Sequence, residues 1–196
     1  MNVPNRLTVS RFALTVVFLA VMFSSIRYRE SVALVLFSAA GLTDYFDGKI
    51  ARRDKLITNF GILMDPLADK ILVCSAFIAF VELHWMRAWM VVIIVGRELA
   101  ITGLRLLAAS RNVVLAAEGL GKHKTISQII AIISILIYHS YQEWGTVGIS
   151  IFGWQVVSEP WIGWFTPFSI WVAVALTLVS GAFYLWRNRP MYLEDV

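Results

Sequence analysis

The sequence predicts an all-α integral membrane protein with six transmembrane helices and both termini in the cytoplasm. Three observations carry that expectation. The 196 residues are 59% hydrophobic with a mean hydropathy of +0.72, far from the composition of a soluble domain. The apolar sequence falls into runs long enough to cross a bilayer, at approximately 7–26, 31–52, 57–81, 85–109, 124–141 and 165–187. Basic residues collect at alternate ends of those runs, as the positive-inside rule requires.

Taken in order, the first run follows Arg6 and contains Arg11. It is too long for a signal-peptide core, which makes it an uncleaved first span. With the N-terminus in the cytoplasm, twelve of the seventeen Lys and Arg lie near cytoplasmic ends. These are Arg6, Arg11, Lys49, Arg52, Arg53, Lys55, Arg105, Arg111, Lys122, Lys124, Arg187 and Arg189. Only Arg27, Arg29 and Arg87 fall outside, and Lys70 and Arg97 lie within spans. The pI near 9.4 therefore reflects orientation against anionic lipid and implies no nucleic-acid partner.

Trp85, Trp89, Trp144, Trp154, Trp161 and Trp164 map to the outer side, where indole rings form the interfacial belt. The apolar stretch 145–157 is short and broken by glycines, so it reads as an interfacial segment. A seventh span would expel Arg187 and Arg189 to the wrong side. Cys74 is the single cysteine, which excludes an intrachain disulfide. With no internal repeat and no linker, residues 1–196 form one membrane domain.

The second and third runs carry the chemistry. Asp44, Asp47, Asp65 and Asp69 stand in otherwise apolar sequence around one short connection. Asp44 and Asp47 are three apart, and Gly48 and Ala51 continue their side of a helix with almost no side chain. Gly61, Asp65 and Asp69 follow at i, i+4 and i+8, again with a glycine clearing space. Pro66 leaves two options open: Asp65 caps the third helix, or that helix starts near Thr58 and takes Pro66 in its early turns. Aspartates paired only with Lys49, Arg52, Lys55 and Lys70 would be the structural alternative. An intramembrane Asp costs on the order of 3 kcal/mol at the bilayer centre and less near the interface, and clustering adds repulsion. A bound cation offsets both terms. Carboxylates without a His or Cys cluster suit a hard ion, Mg²⁺, Mn²⁺ or Ca²⁺, and four of them can hold two.

The fourth and fifth runs supply a second constellation. GRELAITGLR puts Arg97 and Glu98 in apolar surroundings with Arg105 two turns later, and GKHKT brings Lys122 and Lys124 to the start of the fifth span. Glu98, Thr102 and Arg105 follow at i, i+4 and i+7 as one hydrogen-bonding stripe, and a structural pairing of Glu98 with Arg97 or with Arg105 does not use both arginines. Two arginines and two lysines at one end make a phosphate or carboxylate site. GKHKT is no Walker A loop, because His123 replaces its Ser/Thr and Ala116 its first glycine.

The block Asp44-x2-Asp47-Gly48-x2-Ala51-Arg52-x8-Gly61-x3-Asp65-x3-Asp69 resembles the signature of the CDP-alcohol phosphotransferase family without a departure. The resemblance implies a six-helix membrane fold, a homodimer and a site opening to the cytoplasm. It also implies two divalent cations, Mg or Mn, held by Asp44, Asp47, Asp65 and Asp69, with Asp69 doubling as general base. Asp44, Asp47, Gly48, Ala51, Arg52, Gly61 and Asp65 would surround the CDP moiety.

Together with NVPNRLTVSR, GRELAITGLR and GKHKT, the block is similar to the bacterial branch that joins CDP-diacylglycerol to sn-glycerol 3-phosphate. That likeness covers the N-terminal two-thirds of the chain and implies a bacterial inner or cell membrane. It implies that the acceptor's phosphate meets Arg97, Arg105, Lys122 and Lys124, with Asn5, Thr8 and Arg11 helping to close the site. Cardiolipin and phosphatidylinositol phosphate synthases are the alternatives within the family. A divalent-cation transporter is the alternative outside it.

Overall fold

The computed structural model describes the backbone of residues 3–54, 59–110 and 119–189, and the side chains of 10–42, 70–110 and 121–189. Six long helices stand where the six apolar runs predict them. They are α1 (Val3–Met22), α2 (Arg29–Asp54), α3 (Asn59–Glu82), α4 (Ala88–Ser110), α5 (Gly119–Ser140) and α7 (Trp161–Arg187). A one-turn 3₁₀ segment (Tyr141–Trp144), the short helix α6 (Gly145–Phe152) and a two-stranded hairpin of β1 (Gln155–Val156) and β2 (Glu159–Pro160) connect α5 to α7. Among the described residues α7 is the helix long and apolar enough to cross a membrane, and Ser10–Met22 is a shorter apolar helix.

Local chemistry sets the boundaries. After α1 the Ser24 hydroxyl donates to the Val21 carbonyl at 2.7 Å, and Tyr28 takes a left-handed φ of 68° just before α2. Glu30 in the first turn of α2 complements the helix dipole. α3 begins at Asn59, well before Asp65, so Asp65 is not a cap and Pro66 lies within the helix. At its far end His84 adopts φ 60°, and the Phe80 carbonyl accepts from the Trp85 amide at 2.8 Å, which turns the chain into α4. α5 starts five residues earlier than its apolar run, which places GKHKT on helical backbone. The stretch expected to be interfacial holds the eight-residue α6 and the two-residue β1, and α6 is too short for a seventh span.

Helix α1 packs on α2 and α3, α5 on α2 and α7, and α4 on α3 and α7. The main core gathers Phe18, Phe37, Phe77, Ile94, Leu136 and Val174 from the six long helices. Between α5 and α7 the buried polar groups satisfy one another. Gln128 Nε2 donates to Thr177 Oγ1 at 3.0 Å, Ser134 and Ser169 hydroxyls meet at 2.7 Å, and Thr166 Oγ1 donates to the Ser134 carbonyl at 3.1 Å. Such bonds fix the rotation of one helix against another where apolar packing alone is permissive.

Candidate active site

Alternation of the long helices brings the C-terminal half of α2, the N-terminal half of α3, the C-terminal half of α4 and the start of α5 to one end of the bundle. Asp44 and Asp47 lie on α2, Asp65 and Asp69 on α3, and residues 55–58 separate the two helices. The side chains of all four aspartates lie outside the described residues, as do those of Gly48, Ala51, Arg52, Gly61, Asn5 and Thr8. Among the described residues no group of three His, Cys, Asp or Glu could hold a metal.

The described part of the site is built on Glu98. Its side chain is buried on the α3-facing side of α4 and pairs with cations from three helices. Lys124 of α5, itself 3% exposed, donates to Oε1. Arg97 Nη1 donates to the same oxygen at 3.3 Å. Lys70 of α3 approaches Oε2 at 3.6 Å and also donates to the Glu98 carbonyl at 3.3 Å. Thr102 completes the arrangement by accepting from Lys70 and donating to the Glu98 carbonyl at 2.7 Å. One carboxylate thus ties α3, α4 and α5 together, in surroundings where an unpaired charge would be costly.

Arg97 runs along α7 as well. A Cβ built on Gly181 would lie 2.8 Å from Arg97 Cγ, so the glycine is what lets the arginine stem cross that helix. Arg97 Nε is buried and has no hydrogen-bond acceptor among the described residues. Arg105, two turns further along α4, is exposed, and its Nε donates to the Tyr184 hydroxyl at 3.3 Å. Its guanidinium carbon also stands 5.5 Å from the centre of the Tyr184 ring.

Of the four basic residues expected to meet a phosphate, the fold brings Arg97 and Lys124 together. Arg105 sits further along the same helix against α7. Lys122 is exposed while Lys124 is buried, because residues two apart on a helix point roughly 200° apart. The two lysines of GKHKT therefore do not converge on one point. Glu98 pairs with Arg97 rather than with Arg105, and its most buried partner, Lys124, is one that spacing along a single helix cannot supply. Two members of the site escaped the sequence reading, Lys70 as a partner of Glu98 and Tyr184, whereas the i, i+4 spacing already set Thr102 beside Glu98 on one stripe of α4. Lys70 carried a usable signal, since it is a cation within an apolar run immediately after Asp69. Tyr184 carried none.

Arg11 lies on a separate cavity of about 450 Å³ between α1, α2, α3 and α5, which Phe37, Ser38, Leu72, Thr125 and Ile133 also line. It is not among the residues that meet Glu98.

The sequence profile of the CDP-alcohol phosphatidyltransferase family matches residues 1–179. The chain belongs to that family. Its members are transferases, and the names of two of the relatives include glycerol 3-phosphate. A CDP-diacylglycerol–glycerol-3-phosphate 3-phosphatidyltransferase of Bacillus subtilis is 39% identical over 95% of this chain and 95% of its own length. A protein of the same name from Rickettsia bellii is 32% identical over 93% of both. A probable phosphatidylglycerophosphate synthase of Mycobacterium tuberculosis is 40% identical over 67% of this chain and 64% of its own. Since the family profile reaches residue 179, it includes α5 and most of α7 as well as the aspartate block.

Proposed function

We propose that the chain transfers the phosphatidyl group of CDP-diacylglycerol to sn-glycerol 3-phosphate, releasing CMP and forming phosphatidylglycerophosphate. The observation that carries the acceptor is the surplus of positive charge around Glu98, where Lys70, Arg97 and Lys124 meet one carboxylate. A phosphate monoester is the natural partner of such a surplus. The names of the relatives point the same way.

Asp44, Asp47, Asp65 and Asp69 would hold two divalent cations, Mg or Mn. The donor set fits such ions: four carboxylates on two helices, without a thiolate or imidazole, suit hard oxygen-seeking cations. When bound, these ions neutralise a pyrophosphate and the charge that develops on it. Gly48, Ala51, Arg52 and Gly61 would receive the CDP moiety. Arg97 and Lys124 would hold the acceptor's phosphate with Arg105 at its edge, while Lys122 and, near α1, Asn5, Thr8 and Arg11 would form the rim. Asp69 would then take the proton of one of the acceptor's two free hydroxyls as its oxygen attacks the phosphorus that bears diacylglycerol. The bond from that phosphorus to the CMP oxygen breaks, and CMP leaves with the electron pair.

The six long helices would span a bacterial inner or cell membrane, with both termini and the site on the cytoplasmic side. Besides the charge asymmetry, outward side chains on several helices support this. Val16, Val35, Val92, Leu99 and Phe168 are each more than 60% exposed, a distribution suited to lipid contact. The family resemblance supports a homodimer.

The test offers purified protein CDP-diacylglycerol, Mg²⁺ or Mn²⁺, and one alcohol at a time. CMP release with glycerol 3-phosphate, and not with serine, inositol phosphate or phosphatidylglycerol, is the expected result. Equal rates with any of these would refute the acceptor assignment. Ion flux without CMP release would refute the enzyme.

A further inference from the structure

We infer that Glu98 is a positioning residue that sets both the geometry and the net charge of the acceptor's phosphate pocket. The inference rests on the phosphate-acceptor reading above and deepens it. A carboxylate in a phosphate site is at first sight misplaced, because it repels the ligand. Its contacts explain its presence.

Lys70, Arg97 and Lys124 come from α3, α4 and α5, and each makes its ion pair with this one side chain. Lysine stems have four rotatable bonds, and three like charges brought together would splay apart without an anion between them. Glu98 therefore acts as the fixed centre on which the cations are arrayed before the acceptor arrives. Thr102 holds Lys70 from a second direction, and Gly181 confines the stem of Arg97 from a third.

The charge count bears on specificity. Among the described residues, three cations against one carboxylate leave two net positive charges in a place largely closed to water. A structural ion-pair cluster needs no such surplus, and desolvation makes the surplus expensive to keep. An arriving group with two negative charges cancels it. A phosphate monoester carries that charge, a phosphodiester carries one, and serine carries none in net. An unoccupied donor is also present, because Arg97 is anchored through Nη1 while its buried Nε has no acceptor among the described residues. Glu98 thus turns three mobile cations into a preset cradle of charge two, suited to a phosphate monoester and poorly matched to phosphatidylglycerol or serine.

The experiment compares wild type, Glu98→Gln and Glu98→Asp as purified full chains in detergent, with Mg²⁺. CMP release is measured while glycerol 3-phosphate and CDP-diacylglycerol are varied in turn. Unlocking three long side chains should raise the KM for glycerol 3-phosphate about tenfold or more in Glu98→Gln. The expected kcat stays within about threefold, and the KM for CDP-diacylglycerol stays unchanged. Glu98→Asp keeps the charge on a shorter arm and should fall between, with a KM raised about threefold. A merely structural Glu98 predicts something else: less active protein or a lower kcat, with both KM values untouched. That result overturns the inference, and so does a parallel rise in both KM values. If Glu98→Gln does not fold, Glu98→Asp decides, and a wild-type KM for glycerol 3-phosphate in that variant overturns the claim. A wild type that releases CMP with other alcohols but not with glycerol 3-phosphate overturns the acceptor reading, and this inference with it. A wild type active with glycerol 3-phosphate beside an unaltered Glu98→Gln overturns this inference alone.

Discussion

Replacing Lys124 by Met tests whether the buried charges around Glu98 are coupled as the structure places them. Lys124 and Glu98 are 3% and 4% exposed, so neither can recover hydration when the other is removed. Breaking a buried pair from one side costs about 3–5 kcal/mol when nothing else compensates. Here Glu98 keeps Arg97 at 3.3 Å and Lys70 at 3.6 Å, and methionine fills the lysine stem. The expected loss for Lys124→Met is therefore below that range, about 2 kcal/mol. Lys122→Met, on the exposed side of the same turn of helix, should stay within about 0.5 kcal/mol. Adding Glu98→Gln to Lys124→Met closes a double-mutant cycle. Neutral interhelical hydrogen bonds in a membrane protein average about 0.6 kcal/mol by that method, so a charged buried pair should give a coupling above about 1 kcal/mol. Equilibrium unfolding in mixed detergent micelles, monitored by tryptophan fluorescence and circular dichroism, reads all four corners. Additivity within about 0.5 kcal/mol would refute the coupling. A Lys122→Met loss as large as that of Lys124→Met would refute the burial argument itself.

The remaining expectations concern the reaction and the connection on the other side. Asp69→Asn should lower CMP release by at least about a hundredfold while leaving CDP-diacylglycerol binding largely intact, and lost binding would move Asp69 out of the base role. Chelating divalent cations should abolish CMP release, with recovery on adding Mg²⁺ or Mn²⁺; activity that survives exhaustive chelation would count against the carboxylate metal site. Arg105→Ala should raise the KM for glycerol 3-phosphate much more than that for CDP-diacylglycerol. Tyr184→Phe, which keeps the ring under Arg105 and loses only the 3.3 Å hydrogen bond, should do so less, and the reverse order would show that the tyrosine hydroxyl is the group that matters. Gly148→Ala should destabilise the α5–α7 connection by about 1–3 kcal/mol, since its Cβ would fall 2.0 Å from the Tyr141 carbonyl oxygen. An unchanged melting temperature would mean that the 3₁₀ segment and α6 separate at no cost.

Hydropathy located the six long helices because each must present a continuous apolar surface, and that demand is written along the chain. Their ends were less legible. α5 begins at Gly119, five residues before its apolar run, because polar residues extend a helix without contributing to hydropathy. Pro66 left two starts for α3 open, and local preference could not choose between a cap and an interior position. The aspartate block was visible because spacing along one or two helices is a sequence property. The partners of Glu98 were not, because Lys70 is 28 residues before it and Lys124 is 26 residues after it. Which cation meets a given carboxylate depends on how α3 and α5 rotate against α4. That rotation is decided by packing among many side chains, and no short motif encodes it. The same reason split GKHKT, whose two lysines are neighbours in the sequence and face opposite sides of a helix.

The two halves of the proposed site meet on α3. Asp65 and Asp69 belong to the CDP half, while Lys70, the next residue, is held by Glu98 and Thr102 of α4. Consecutive residues on a helix are about 100° apart, so anchoring Lys70 also limits the rotation available to the turn that carries Asp69. A change at Glu98 can therefore reach the aspartate through one turn of backbone as well as through the acceptor's phosphate. The two routes separate in kinetics. Loss of the phosphate cradle raises the acceptor's KM alone, whereas rotation of α3 would disturb the base and lower kcat. The conservative Glu98→Asp change shortens the link to Lys70 without removing it. A KM effect with kcat preserved would then mean that α3 is held by its packing on α1 and α4, and that Glu98 governs the cradle only.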